Sequence, residues 1–310
     1  MDFDLNELEG FLCDRVKGQD FAMKTMVSAV QRAELGFSKP GRPKSVFLLL
    51  GPTGTGKTES TLNLGRFLYG RENAVARFDM GEYGHADSLK RLLGEDKNDP
   101  GLLGQALDER PEGGILLLDE IEKADPKVSK VFLGATDAAR TTSTDGVTRS
   151  LEKWYLVFTS NLGSAAAAQM DGVPYATLQR TVMQAATQFF APETMARFTN
   201  KVVFKTLTYD VQRRIAEALV IQEGEYISQL VSRRTGIPST AAATPEAITF
   251  LIRRGYTREM GARAMRDTIE KYMGEATTKW LLGGEFRDQK KLHLQYHAPE
   301  AAIELGLVVE

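Results

Sequence analysis

The chain has 310 residues, 42% of them hydrophobic and 26% charged. This is the composition of an ordinary folded protein of about two domains, and it excludes disorder or a collagen-like repeat as the main theme. With 39 Lys and Arg against 41 Asp and Glu, the net charge is −2, so no global field draws the chain to nucleic acid or to an anionic membrane. The single cysteine, Cys13, excludes an internal disulfide and a cysteine-based metal cluster, and a small buried hydrophobe is expected there.

The N-terminal segment MDFDLNELEG is acidic and lacks the basic start and apolar run of a signal peptide. The longest apolar runs, 46–50 and 115–118, fall far short of a bilayer span. A cytoplasmic protein without membrane insertion is therefore expected. Apolar residues recur at helical spacing over 5–35, first Leu5, Leu8, Phe11 and Leu12, then, after a break at Lys17 and Gly18, Ala22, Met26, Val27, Val30 and Ala33. Pro and Gly mark 38–44 as a loop. The run Ser-Val-Phe-Leu-Leu-Leu at 45–50 suits a strand buried on both faces. Glycines follow, then a helical pattern over 57–68.

Further strands are predicted at 74–78, 114–118, 154–159 and 201–204, with helical stretches between. This alternation predicts an α/β fold with a parallel sheet and right-handed crossovers. Beyond 204 the pattern changes to helices over 209–233, 245–254 and 261–282, with a terminal strand at 291–296. The Thr/Ala-rich stretch 239–244 is expected to be a loop. Two domains are expected, a larger α/β domain over 1–205 and a smaller, mostly helical one over 206–310.

Residues 51–58, Gly51, Pro52, Thr53, Gly54, Thr55, Gly56, Lys57 and Thr58, match the phosphate-binding pattern GxxxxGK(S/T). Glycines let the backbone approach the phosphates so that several N–H groups point inward. The helix starting near Lys57 aims its positive end at the same anion. Lys57 should reach the β- and γ-phosphates of ATP, and Thr58 should ligate Mg²⁺. Some sixty residues on, the apolar run 115–118 ends in Asp119 and Glu120. Asp119 is expected to hold Mg²⁺ and Glu120 to polarise the attacking water. The strand at 154–159 ends in Ser160 and Asn161. Asn161 could reach the γ-phosphate or position the water, and Ser-Asn is equally ordinary turn chemistry.

Taken in order, these strings resemble a Clp-type AAA+ ATPase, most of all the second ATPase domain of the ClpB-type disaggregases. Val16-Lys-Gly-Gln19 is similar to that family's adenine-side turn, which implies nucleotide contacts for Val16 and Lys17. Phe78-Asp-Met-Gly-Glu-Tyr83, Leu118-Asp-Glu-Ile-Glu-Lys-Ala124, Thr144-Asp-Gly146 and Thr159-Ser-Asn-Leu-Gly163 resemble further family strings, the last carrying the sensor Asn161. Pro192-Glu193 followed by Arg197 and Val202-Val-Phe204 resembles the segment with the trans-acting arginine finger, and Gly261-Ala-Arg263 the second sensor in the lid. The resemblance thus implies that Arg197 reaches the γ-phosphate of a neighbouring subunit and that Arg263 senses nucleotide from the lid. It also implies a P-loop AAA+ core and a homo-oligomeric, hexameric ring.

Three departures stand out. Where threading relatives carry a Gly-aromatic-Val-Gly pore loop, this chain has Pro100-Gly-Leu-Leu-Gly104, preceded by the charged Glu95-Asp-Lys-Asn-Asp99. Leu102 and Leu103 are thus the candidate pore residues, or else loop leucines packed on a neighbour. Around Arg197 the usual Asn and Asp are Ala196 and Thr199, and beside Arg263 the usual Pro is Ala264. Leu35-Gly36-Phe37 has the composition of a protease-docking loop in the wrong place, and reads as a helix C-cap.

Two functions follow from the resemblance. One is an ATP-driven protein remodeller; the other is a nucleotide-switched assembly or scaffold ATPase that threads nothing. A DNA motor finds little support, because the pairs Arg213-Arg214, Arg233-Arg234 and Arg253-Arg254 form no stripe interleaved with aromatics. The three histidines are scattered, so Mg²⁺ is the one metal expected. Within 310 residues there is little room for client selection, and specificity is expected from a separate client or adaptor protein or from the ring's edge loops.

Overall fold

The computed structural model describes residues 4–70, 74–170, 172–284, 289–298 and 303–307. Three strands, β1 (Ser45–Leu50), β3 (Gly114–Asp119) and β6 (Trp154–Ser160), are buried along their whole length. Such strands need cover on both faces, and a parallel sheet with helical crossovers supplies it. With β2 (Val75–Asp79) and β7 (Asn200–Val203) they form a five-stranded sheet in the order β2-β3-β6-β1-β7, every neighbouring pair parallel.

The period of two along each strand divides the core. Phe47 and Leu49 of β1, with Ile115, Leu117, Tyr155 and Val157, pack against α1 (Leu8–Arg15), α2 (Asp20–Glu34) and α3 (Lys57–Tyr69). Leu48 and Leu50, with Leu116, Leu118 and Phe158, face the other way. There they meet Leu92 of α4 (Ser88–Leu93), Leu103 and Leu107 of α5 (Gly101–Asp108), Phe132 of α6 (Pro126–Ala138) and Val182 of α8 (Tyr175–Phe189). The short helices α7 (Ser164–Ala167) and α9 (Pro192–Arg197) complete the helical set of this unit. A small antiparallel hairpin of β4 (Arg140–Thr142) and β5 (Thr148–Ser150), which the sequence pattern does not announce, turns at Asp145 and Gly146. Arg149 ties it down through Asp108 (2.7 Å) and Asp145 (2.8 Å).

The chain folds as two compact units, Met1–Thr206 and Leu207–Glu310. The second unit contains α10 (Tyr209–Thr235), α11 (Pro245–Gly255) and α12 (Ala262–Gly283) around a core of Val220, Ile227, Leu251, Met265, Ile269 and Trp280. It is less purely helical than the pattern suggests. The stretch expected as a loop at 239–244 forms β8 (Ser239–Ala243), which pairs parallel with β9 (Leu292–His297), while β10 (Glu304–Leu307) pairs antiparallel on the other side. Ser, Thr and Ala carry too little hydrophobic contrast to show a period of two, so composition does not reveal the β8 pairing.

Two smaller expectations meet different outcomes. Gly36 does cap α2, with φ 83° and Phe37 N–H bonded to the Arg32 carbonyl, and the flanking Leu35 and Phe37 stand exposed. Cys13 is only half-buried, packed at the edge of the α1–α3 cluster, where burial, with Asp20 and Glu9, pushes its thiol up. Among the described residues no helix is long and apolar enough to cross a membrane.

Gly65 lies inside α3, where Ala would ordinarily be favoured by about 1 kcal/mol. A Cβ there would stand 2.5 Å from Val75 Cγ2, and the branched valine, stiff at χ1, yields little room. Gly65→Ala should therefore lower the unfolding free energy by roughly 1–3 kcal/mol in a denaturant titration. In a Val75→Ala background Gly65→Ala should cost much less; a neutral Gly65→Ala in the wild-type background would refute the close approach of α3 to β2.

Candidate functional site

The loop 51–56 leaves the C-terminal end of β1, a place where open α/β sheets gather ligands. Its glycines are demanded by space and by backbone angle. Gly51, Gly54 and Gly56 have φ of 137°, 68° and 106°. A Cβ on Gly51 would come within 2.4 Å of the Phe204 carbonyl oxygen, and one on Gly56 within 2.7 Å of Val16 Cγ1. Thr55 closes the loop by donating to the Pro52 carbonyl at 2.7 Å.

Lys57, the first residue of α3, is 7% exposed. Its ammonium donates to the carbonyls of Gly51 (2.6 Å) and Pro52 (2.8 Å) and to Asn161 Oδ1 (2.9 Å). Burial pushes its pKa down to about 8, against the opposing pull of the Glu122, Asp119 and Glu120 carboxylates. Thr53 donates to the same Asn161 oxygen at 3.3 Å.

At the end of β3, Thr58 Oγ1 lies 3.2 and 3.1 Å from the two oxygens of Asp119. Asp119 is further held by Arg77 Nη2 at 2.7 Å and by the Thr159 hydroxyl. Glu120 adopts the left-handed region, φ 58° and ψ 53°, a strained conformation for a residue with a Cβ and one that clusters at active sites. Its N–H donates to Thr159 Oγ1 at 3.0 Å. Its side chain accepts from Asn161 Nδ2 at 2.8 Å and pairs with Lys123. Burial pushes the Glu120 carboxyl up, but the hydrogen bonds from Lys123 and Asn161 together outweigh it and hold the group below the ordinary carboxylate range. The group is thus ionised at neutral pH, as a proton acceptor must be.

These features fit a magnesium nucleotide. A glycine loop packed against Phe204 and Val16, with a buried ammonium at the start of the following helix, suits a polyphosphate. The Thr58 hydroxyl and the Asp119 carboxylate form an all-oxygen donor set, the kind a hard divalent cation takes.

Comparison with known proteins agrees with this chemistry. Residues 42–201 match the AAA domain (Cdc48 subfamily) model, and residues 224–294 match the C-terminal, D2-small domain of ClpB protein. The chain belongs to the AAA ATPase family. It is 35% identical over 92% of its length to chaperone protein ClpB2, chloroplastic, of Oryza sativa subsp. japonica, covering 29% of that protein. It is 35% identical to chaperone protein ClpB 1 of Thermosynechococcus vestitus and 36% identical to chaperone protein ClpB of Streptomyces albus G, in each case over 92% of this chain and 32% of the relative. The chain therefore spans about a third of the length of these relatives.

Of the other candidate site residues singled out in this AAA module, only one touches the phosphate loop. Val16 is buried against the phosphate loop, whereas Lys17 is half-buried beside Asp14 at 3.7 Å. Gln19 clamps the backbone of Lys205 through both amide atoms, at 2.9 and 3.0 Å. Arg197 ends α9 one-third exposed, its Nε 3.1 Å from Asp137 Oδ2 and its Nη1 donating to the Leu133 carbonyl at 2.8 Å. Arg263 lies in the first turn of α12, in the second unit, and is exposed.

The pore expectation needs correction for one residue. Leu103 is 1% exposed in the main core, so it offers no surface to a passing chain, while Leu102 is half-buried against the same cluster. Both sit in α5, not in a free loop. The charged segment before them is drawn into a tight turn, where Asp99 accepts from the N–H groups of Glu95 (3.0 Å) and Gly101 (2.9 Å).

Sequence reasoning missed Arg77, Thr159 and Glu122. Arg77 faces leucine in the β2–β3 register and reaches Asp119 diagonally, a pairing that only the sheet order creates. Thr159 and Glu122 stand inside the family-like strings, but nothing in their spacing names their partners.

Lys57 gives a pH test. In the unfolded chain its ammonium keeps a pKa above 10. Between pH 8 and 10 the folded state therefore binds fewer protons than the unfolded state, and stability rises with pH. Below the folded pKa of about 8 both states are protonated and the destabilising cost is constant. Nucleotide-free protein in chelator should gain about 2 kcal/mol of unfolding free energy relative to Lys57→Met between pH 7.5 and 9.5. Parallel pH–stability curves for the two proteins would show that the ammonium is not buried.

Proposed function

We propose that the chain is a Mg²⁺-dependent ATPase module that remodels partner proteins, working as a homo-oligomeric ring of hexameric type and taking its specificity from a client or adaptor protein. The observation that carries this reading is the chain of hydrogen bonds joining Lys57, Asn161 and Glu120, in a chain similar to ClpB chaperones over 92% of its length. In this reading the glycine cradle and Lys57 hold the phosphates, and Thr58 with Asp119 holds Mg²⁺. Bound MgATP supplies a phosphoanhydride whose charge the metal partly offsets. Glu120 accepts the proton of the attacking water, and Asn161 keeps that carboxylate at a set distance from the ammonium. Val16 and Lys17 flank the adenine, Arg263 is a nucleotide sensor, and Arg197 acts on a neighbouring subunit's γ-phosphate. An arginine supplied across an interface is worth roughly 10³–10⁵ in rate in the GTPase precedent.

One observation favours the nucleotide-switched scaffold as a second reading. With Leu103 in the core, Leu102 alone is left to grip a threaded chain, and a half-buried leucine offers less contact than a tyrosine face.

Glu120→Gln should bind ATP with near wild-type affinity while kcat falls by roughly 10²–10⁴-fold, and should retain partner proteins in ATP. Rapid turnover by this variant would remove Glu120 from the mechanism. Leu102→Ala separates the two readings. Intact ATPase with lost partner remodelling supports threading; retained function, set against its loss in Lys57→Ala, supports the switch.

A further inference from the structure

One carboxylate beside the site has no role in the hydrolytic reading beyond its charge near Lys57. Glu122 lies two residues beyond Glu120, in the short turn that follows β3. Its Oε1 accepts the backbone N–H of Asn161 at 2.9 Å. Its Oε2 is buried, with no hydrogen-bond partner among the described residues. A buried carboxylate satisfied on one oxygen only is costly, and such a group calls for a specific reason to be kept.

The reason lies in where Asn161 falls. The β6 ladder ends at Ser160, which pairs with Leu50. Asn161 is the first residue past the sheet, so its N–H has left the ladder and needs another acceptor. Glu122 is that acceptor. The Asn161 side chain, in turn, has a fixed sense. Its oxygen faces the Lys57 ammonium at 2.9 Å and its nitrogen faces the Glu120 carboxylate at 2.8 Å. Flipping the amide would set donor against donor and acceptor against acceptor. The sense is thus dictated by charge, but the reach to both partners at once depends on where the backbone sits.

We infer that Glu122 is a positioning residue, which anchors the Asn161 backbone so that one side-chain amide spans Lys57 and Glu120. The inference rests on the reading of Asn161 as part of the hydrolytic site. Glu122 touches neither nucleotide nor water in this role; it acts through Asn161.

The test is a double-mutant cycle with Glu122→Met, which keeps the volume and removes the acceptor, and Asn161→Ala. Steady-state kcat and KM, ATP affinity, thermal unfolding and Asn161 amide hydrogen exchange are measured for each protein. Glu122→Met should lower kcat about tenfold, leave KM and ATP affinity within about twofold, and raise the Asn161 exchange rate in nucleotide-free protein. Glu122→Gln, which keeps an acceptor oxygen, should recover most of the rate. In the Asn161→Ala background Glu122→Met should cost nothing further. An equal loss in both backgrounds, or a Gln variant as slow as the Met variant, would overturn the inference while leaving Asn161 in place. A reduced melting temperature with unchanged kcat would mark Glu122 as merely structural and overturn it likewise. An unchanged kcat in Asn161→Ala alone would remove the reading of Asn161, and this inference with it.

Discussion

The Lys57 ammonium is taken almost wholly out of water, and the surrounding chain is arranged to bear that cost. A buried cation requires acceptors for its protons and opposite charge nearby. Two loop carbonyls and the Asn161 amide supply the acceptors. The carboxylates of Glu122, Asp119 and Glu120 supply the charge, none of them in direct contact with the ammonium among the described ion pairs. The ammonium therefore keeps a strong field without being quenched by a salt bridge. A site meant for a polyanion needs that condition, because a cation already neutralised by a contact ion pair has less to offer an incoming phosphate.

The parallel sheet makes this arrangement possible. Strands β1, β3 and β6 are neighbours and run the same way, so their C-terminal ends deliver the phosphate loop, the Asp119–Glu120 pair and Asn161 to one edge. Beyond that edge regular pairing stops, and side chains take over the backbone's hydrogen bonds. Thr159 receives the Glu120 N–H and donates to Asp119; Glu122 receives the Asn161 N–H; Asn161 donates back to Glu120. The β3 and β6 ends are thereby laced together by Thr159, Glu122 and Asn161. The left-handed backbone at Glu120 belongs to the same lacing, since it is the point at which the chain leaves β3 and turns its carboxylate inward.

The region around Leu102 and Leu103 shows how far a sequence string can be separated from its environment. Its place in the chain suggests a loop whose leucines either face a pore or pack on a neighbour. In the fold, Gly94 and Gly101 approach so closely that a Cβ on Gly101 would stand 2.3 Å from the Gly94 nitrogen. The intervening charges close into a turn, and Leu103 fills the core beside Leu92 and Leu107. Burial of apolar area decides the matter, as it does for the unassuming β8, whose alanines matter because the neighbouring β9 contributes Leu292, Leu294 and Tyr296 to the core of the second unit.

Much of the module is legible in the amino-acid order. Uninterrupted apolar runs mark β1, β3 and β6 because a strand buried on both faces has no polar positions to spare. The glycine loop is equally plain, since its positive φ angles and its close approach to Phe204 and Val16 favour glycine, and the acidic pair stands out as polar residues ending an apolar run. What the order cannot hold is adjacency between distant segments. That β1 lies between β6 and β7, that Arg77 reaches Asp119 from the next strand, and that Glu122 catches the backbone of Asn161 are outcomes of strand order and register. Those are set by how two faces of one sheet find enough cover from the helices, a property of the whole core and of no local stretch within it.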